Sequence, residues 1–249
     1  MTLAQDRSPE NECVVAIVFA LPVEADAFEA LATRRKTLRA AAATIHEGVV
    51  ADRRVAWCVA GMGRQAAATA TRLLIAGHRP RLVVSAGFAG ALDPDLRRGD
   101  VVLPTVAILE DHASRIPLTR FGPSVESASI AIVTVDQVVG TGAAKARLAA
   151  ATSAQVVDME THAVAMAARE AEIPCASVRV VSDTADQELP AEVAALAAPQ
   201  SAARRLGRAL GAIGRRPRAA FDLWRVWEHA VVDGRTLATA LIAGMREIT

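Results

Sequence analysis

Short apolar runs rich in valine and isoleucine recur along the chain, each followed by a turn or by residues at helical spacing. The first, CVVAIVFA (13–20), is apolar without interruption, which predicts a strand buried on both faces. Pro22 at a first helical position, followed by EADAFEALATRR, predicts a helix. TIHEGVV and RRVAWCVA, meeting around Asp52 and Arg53, predict a hairpin. RQAAATATRLLIAGHRP predicts a helix with Leu73 and Leu74 on its apolar side, ended by Gly77 and Pro80. RLVVSAG, DVVLPTVAIL, IAIVTV, QVVDM and CASVRVV predict further strands, and GAAKARLAAAT and THAVAMAAREAEI predict helices between the later ones. Such alternation implies an α/β fold with a largely parallel sheet flanked by helices. The polar, proline-containing stretch EDHASRIPLTRFGPSVESAS (110–129) predicts a long surface loop. Residues 1–12 form a polar tail, and from Pro199 onward the chain turns helical and arginine-rich.

Composition narrows this only slightly. At 249 residues and 52% hydrophobic content the chain can bury a full core in one domain with an appendage. Twenty-eight basic against 27 acidic residues leave no global field to draw in nucleic acid, so any such affinity must come from a local cluster; the balance itself is uninformative about partners, and no nucleic-acid partner is expected. Cys13, Cys58 and Cys175 are odd in number, lack CxxC spacing and sit in apolar runs, which reads as buried thiols in a reducing cytoplasm. The start, MTLAQDRSPENE, lacks the features of a signal peptide, and no run approaches the ~20 apolar residues of a membrane span. The expectation is a soluble cytoplasmic protein.

In a parallel α/β sheet, ligands collect where strand carboxyl ends meet their outgoing loops. Glu24 follows the first strand, the Gly-rich GFAGALDPDLRRGD follows RLVVSAG, Glu160 follows QVVDM, and Ser182 and Asp183 follow CASVRVV. The strand reading therefore predicts that Glu24, Glu160 and Asp183 converge on one sheet edge. Each has a plainer reading: Glu24 and Glu160 as acids favoured in a helix's first turn, Ser182 or Asp183 as an N-cap. Arg179, a charge inside an apolar strand, demands a partner.

The ordered set ALPVEA, SAGFAGALDPDLRRGDVV, VVDMETHAVA and VRVVSDTAD, over roughly residues 13–200, resembles the nucleoside phosphorylase and nucleosidase superfamily, especially its 5′-methylthioadenosine/S-adenosylhomocysteine nucleosidase branch. The resemblance implies a three-layer α/β/α sandwich with a mixed, partly barrelled sheet, spanning 13–200 as the catalytic domain. A helical extension, 201–249, would pack on the same domain. It also implies cleavage of the N-glycosidic bond of a purine nucleoside, with no metal or cofactor, in a homodimer or higher assembly. Carried over residue by residue, Asp183 becomes the general acid at purine N7, oriented by Ser182. Glu24 activates the attacking water with help from Arg179. Met159 packs on the sugar and Glu160 accepts the ribose hydroxyls, a charge-assisted pairing. Phe88, Ala89 and Gly90, with Val138 and Val139, line the substrate site. To act as an acid, Asp183 must keep its proton through burial or a nearby negative charge. Asp158 receives no role beyond structure.

Three departures bear on reaction and substrate. Phosphate needs convergent donors, yet Ser85 and Phe88 stand where hexameric purine phosphorylases carry an arginine and a serine, so hydrolysis is favoured. Arg64 in GMGRQ keeps an anion site, and phosphorolysis, open. Val138 replaces the family's aromatic stacking residue, and the segment between DVVLP and IAIVTV is short. With the C-terminal extension, these features resemble the hopanoid-biosynthesis-associated nucleosidases, which implies an adenosyl-hopane as substrate. Arg204, Arg205, Arg208, Arg215, Arg216 and Arg218 precede Phe221, Leu223, Trp224 and Trp227. That composition suits peripheral contact with the inner face of a membrane; the simpler reading is an amphipathic helix packed on the core or a second subunit.

Two further classes stay open. AGMGRQA matches a GxGxxA dinucleotide fingerprint, but RLVVSAGFAG ends without the acid that fingerprint needs. A non-catalytic nucleoside sensor on the same fold is the other. His46, His78, His112, His162 and His229 show no metal-ligand spacing.

Overall fold

A computed structural model describes residues 13–39, 43–111, 113–122, 129–189 and 217–248, with backbone alone for 217–227. The apolar runs become strands β1 (Val15–Phe19), β3 (Thr44–Val50), β4 (Arg53–Val59), β5 (Leu82–Ala91), β9 (Ala131–Thr134), β10 (Val156–Asp158) and β11 (Cys175–Asp183). Shorter strands are β2 (Thr33–Arg39), β6 (Val101–Val102), β7 (Val106–Leu109) and β8 (Arg115–Pro117). The helices are α1 (Pro22–Glu29), α2 (Arg64–His78), α3 (Gly142–Thr152), α4 (Thr161–Glu170) and α5 (Pro217–Arg246).

All strands join one mixed sheet in the order β2-β3-β4-β1-β5-β10-β9-β7-β8, with β11 and then β6 branching from β5. The long β5 makes this branch. Its first half pairs in parallel with β1, its end pairs antiparallel with β10, and its other edge pairs along its length with β11. The sheet does not close into a barrel: β2 and β8 remain the two ends of its main path.

Strand alternation sends side chains to two faces. From β1, Ala16 and Val18 join the cluster covered by Ala67, Ala70 and Leu74 of α2 and Val164, Ala165 and Ala168 of α4. Val15, Ile17 and Phe19 join the opposite cluster, covered by Ala25 and Phe28 of α1 and Leu237, Leu241 and Met245 of α5. Helices on both faces make the three-layer sandwich. The described end of α5 is therefore a packed core element, with Leu237, Leu241 and Met245 fully buried. The arginines from 204 to 216, and the side chains of Arg218, Phe221, Leu223, Trp224 and Trp227, lie outside the described residues.

Four elements depart from the sequence expectation. TRR of the expected first helix belongs to β2, whose seven residues are all exposed at the sheet edge, so no apolar alternation marks it. DVVLPTVAIL is broken around Pro104, which cannot donate to a ladder; β6 goes to β11 and β7 to β9. The 110–129 loop contains β8, paired with β7. Finally, β5 continues through GFAGA to Ala91, so Gly87 and Gly90 lie in the strand and the expected Gly-rich turn begins only at Leu92. Cys13, Cys58 and Cys175 are buried free thiols, and among the described residues no helix is long and apolar enough to cross a membrane.

Candidate active site

Beyond the carboxyl ends of β1, β10 and β11 lies a cavity of about 300 Å³, at the lower end of the size range of small-molecule sites. Glu24, Glu160 and Asp183 all border it, as do Met159 and Ser182. Phe88, Ala89 and Gly90 of β5 form one wall, and Val138 and Val139 face it from the loop before α3. Leu21, Val23, Met62 and Leu189 make the remainder largely apolar, and His229 and Asp233 of α5 also reach it. Of the eleven candidates from the sequence, only Arg179 is missing from this wall.

Glu24 is held from two elements. It is the third residue of α1, and Oε2 accepts the amides of Ala20 (2.9 Å) and Leu21 (2.8 Å), while Oε1 accepts the Phe88 amide of β5 (2.9 Å). It thus caps its own helix and faces the cavity. Burial pushes its pKa up, opposed by the Arg179 guanidinium and by the three amides. Gly87 makes the approach possible: a Cβ there would stand 2.6 Å from Glu24 Oε1 and would also strike Arg179 Nη1. A glycine inside a strand often marks such a close approach.

Arg179 sits behind the wall, 1% exposed, rather than on the cavity where a water-holding residue was expected. Its Nη2 pairs with Asp158 Oδ2 at 2.7 Å and donates to Ser85 Oγ (2.6 Å) and Thr161 Oγ1 (2.7 Å). A buried guanidinium needs such partners, and they draw it away from solvent. Asp158, with no role assigned from sequence, is this partner. It also accepts the Thr161 amide at the start of α4, the Thr161 hydroxyl, and the Thr134 hydroxyl.

Glu160 occupies the N-cap position of α4 without capping it. Its Oε1 instead accepts the Gly63 amide at 2.7 Å. This accounts for AGMGRQA: Gly61 and Gly63 adopt positive φ, open to glycine without strain, and the turn they make aims an amide at Glu160. Burial and the negative charge of Asp158 push the Glu160 pKa up to about 8 against the pull of Arg179.

Asp183 follows a β-bulge. Val181 pairs with Ala89 and Asp183 with Gly90, so one extra residue, Ser182, is accommodated. Bulges re-aim side chains, and here both Ser182 and Asp183 reach the cavity. Ser182 Oγ donates to Asp183 Oδ1 at 2.6 Å. Of the two expected influences, burial and a nearby negative charge, Asp183 has the burial, but the group facing its Oδ2 is the ammonium of Lys145, at 2.5 Å. The Lys145 side chain is completely buried. In sequence it is one residue of an alanine-rich helix, indistinguishable from a solvated lysine.

Arg64 is spent on Asp136: Nε reaches Oδ1 at 2.6 Å and Nη2 completes a bidentate pair. Ser85 lies behind the wall with Arg179. Neither arrangement offers phosphate a cation at the cavity. Among the described residues no cluster of three or more His, Cys, Asp or Glu could hold a metal ion.

The sequence matches the family model of the phosphorylase superfamily over residues 14–129 and 115–213. It is 26% identical over 204 residues to the 5′-methylthioadenosine/S-adenosylhomocysteine nucleosidase of Glaesserella parasuis serovar 5 (strain SH0165), covering 70% of this chain and 87% of that one. The fold is similar to a Helicobacter pylori 5′-methylthioadenosine nucleosidase, an aspartate-to-asparagine mutant with 5′-methylthioadenosine in the active site. That match has a TM-score of 0.72 at 18% identity, over 95% of this chain and 99% of that one. The futalosine hydrolase of H. pylori is as similar, with a TM-score of 0.71 at 18% identity over 95% and 98% of the two chains.

Proposed function

The chain belongs to the phosphorylase superfamily, and from that membership and the geometry of its cavity we propose that it is a hydrolytic N-glycosidase acting on a purine nucleoside. The observation that carries this is the meeting of Glu24, Glu160 and Asp183, far apart in sequence, around one largely apolar cavity. Nucleosidase relatives support the same reaction class.

In this scheme the purine lies between the Ala89–Gly90 wall and Val138–Val139, with N7 toward Asp183. A purine leaves poorly as an anion and well when protonated, and a positioned acid contributes about 10² to 10⁴ in rate. Ser182 fixes the Asp183 carboxyl. Glu160 takes the ribose 2′ and 3′ hydroxyls and Met159 packs on the sugar as it flattens toward an oxocarbenium-like state. Glu24 accepts the proton of the attacking water. Arg179 acts through Glu24 and Asp158, as a positioning residue, because it does not border the cavity. With Arg64 paired to Asp136, water rather than phosphate is the nucleophile.

The finer reading of the substrate is an adenine nucleoside with a greasy 5′ substituent, an adenosyl-hopane. It rests on the sequence resemblance and on the apolar lining from Leu21, Val23, Met62 and Leu189. The segment bearing Arg204 to Trp227 would then meet the membrane that holds such a lipid. Co-sedimentation with anionic vesicles tests this, and no pelleting excludes it.

The test of the activity is incubation of the purified protein with adenosine, methylthioadenosine, inosine, futalosine and an adenosylated lipid, with and without phosphate. Free purine and the free ribose, still carrying any 5′ substituent, are expected at a rate independent of phosphate. Ribose 1-phosphate would make the protein a phosphorylase, and a thermal shift without product would make it a sensor.

A further inference from the structure

The chain carries 28 basic residues, of which 26 are arginines; its only lysines are Lys36 and Lys145. One lies on the exposed strand β2. The other is fully buried against the candidate acid. Its three N–H donors find three acceptors: Asp183 Oδ2 at 2.5 Å, the Thr184 carbonyl at 2.5 Å and the Gln187 carbonyl at 3.4 Å. No acceptor surplus remains to favour a different orientation. With Ser182 Oγ–H on Oδ1 and Lys145 Nζ–H on Oδ2, both Asp183 oxygens accept. Asp183 is thus engaged on both oxygens, one by the Ser182 hydroxyl and the other by the buried Lys145 side chain, a nitrogen that can pass it a proton.

Resting on the nucleosidase reading above, we propose that Lys145 is the proton source for the leaving base, acting through Asp183. As the bond between C1′ and N9 breaks, its electron pair goes to the purine. N7 takes a proton from Asp183, and Asp183 takes one from Lys145 Nζ, which becomes a neutral amine. Water adds to C1′ and its proton passes to Glu24. When the base departs, Asp183 again faces the open cavity. Glu24 then returns its proton to solvent and Lys145 regains one through Asp183, so each turnover consumes one water and leaves the protein unchanged. An arginine could make the same ion pair but does not give up a proton in proteins, whereas a buried lysine does so readily. That difference gives a reason for a lysine here in a chain otherwise built with arginine.

The experiment compares two leaving groups in wild type, Lys145→Met and Lys145→Arg. One substrate is the best adenine nucleoside, and the other is the p-nitrophenyl β-riboside with the same 5′ group, whose phenolate leaves without protonation. Both variants should lose about 10²-fold or more in kcat on the nucleoside while keeping p-nitrophenol release within a few-fold of wild type, which also certifies that they fold. Equal losses on both substrates would make Lys145 merely structural. Full nucleoside turnover in Lys145→Met, or its restoration in Lys145→Arg, would also overturn the proposal, the latter by showing that charge alone suffices. Wild type releasing no purine from any nucleoside would instead sink the nucleosidase reading itself.

Discussion

Asp158 and Arg179 meet at 2.7 Å with each side chain 1% exposed. The pair ties the end of β10 to the middle of β11 and lies directly behind Glu24. Removing one partner of a buried pair strands the other charge and costs about 3 to 5 kcal/mol. Asp158→Ala should lose stability of that order in urea unfolding, and a loss below about 1 kcal/mol would show the pair to be energetically idle.

Gly87→Ala should reach the same centre from the strand. The new methyl would stand 2.6 Å from Glu24 Oε1 and collide with Arg179, so both must move. Misplacement of about 1 Å costs on the order of 10² in rate, which steady-state kinetics would read as a fall in kcat with the fold intact by circular dichroism. Unchanged kcat would mean that Glu24 need not be held where it is.

The elevated pKa of Glu160 carries a sign that can be worked out. With a pKa of about 8 in the folded protein against an ordinary 4.5, the folded state holds more protons than the unfolded state between those values. This contribution to stability is therefore complete below about pH 4.5 and disappears as pH rises through about 8. Glu160→Gln, which does not titrate, should flatten that part of the stability profile in denaturant unfolding between pH 5 and 8.5. A ribose diol donating to the carboxylate favours the ionised form, so nucleoside binding should tighten with rising pH up to about 8 and release protons. Calorimetry in buffers of different ionisation enthalpy measures the protons; uptake on binding would contradict the assignment.

Arg64→Ala should leave turnover within about twofold and create no response to phosphate, because the guanidinium is engaged by Asp136 at the surface, where such pairs contribute about 0 to 1 kcal/mol. A large loss of turnover, or phosphate-stimulated turnover in wild type that vanishes in the variant, would restore the phosphorolytic alternative.

Sequence and structure agree best where a residue's own chemistry constrains its surroundings. The buried strands were legible because continuous valine and isoleucine runs have few other uses, and the three acids because each follows such a run. Strand β2 was not: its residues are mostly polar or basic and, Leu38 included, exposed at an edge, so no burial periodicity is written into them. Lys145 was invisible for the opposite reason, since a buried lysine in an alanine-rich helix leaves the same local pattern as a solvated one. Arg179 advertised its need for a partner, but Asp158, more than 20 residues upstream, could be identified only once β10 and α4 were placed against β11. The glycines of SAGFAG suggested a turn after a strand, whereas Gly87 and Gly90 lie in β5 and provide close seats for Glu24 and Asp183.

The most direct measurement is the turnover of Asp183→Asn beside wild type on the same purine nucleoside, with the affinity of a non-cleavable analogue determined for both. In Asp183→Asn kcat should fall by about 10² to 10⁴ while the dissociation constant changes by only a few-fold, the pattern of a group needed in the transition state. Near-normal turnover in Asp183→Asn would contradict that role.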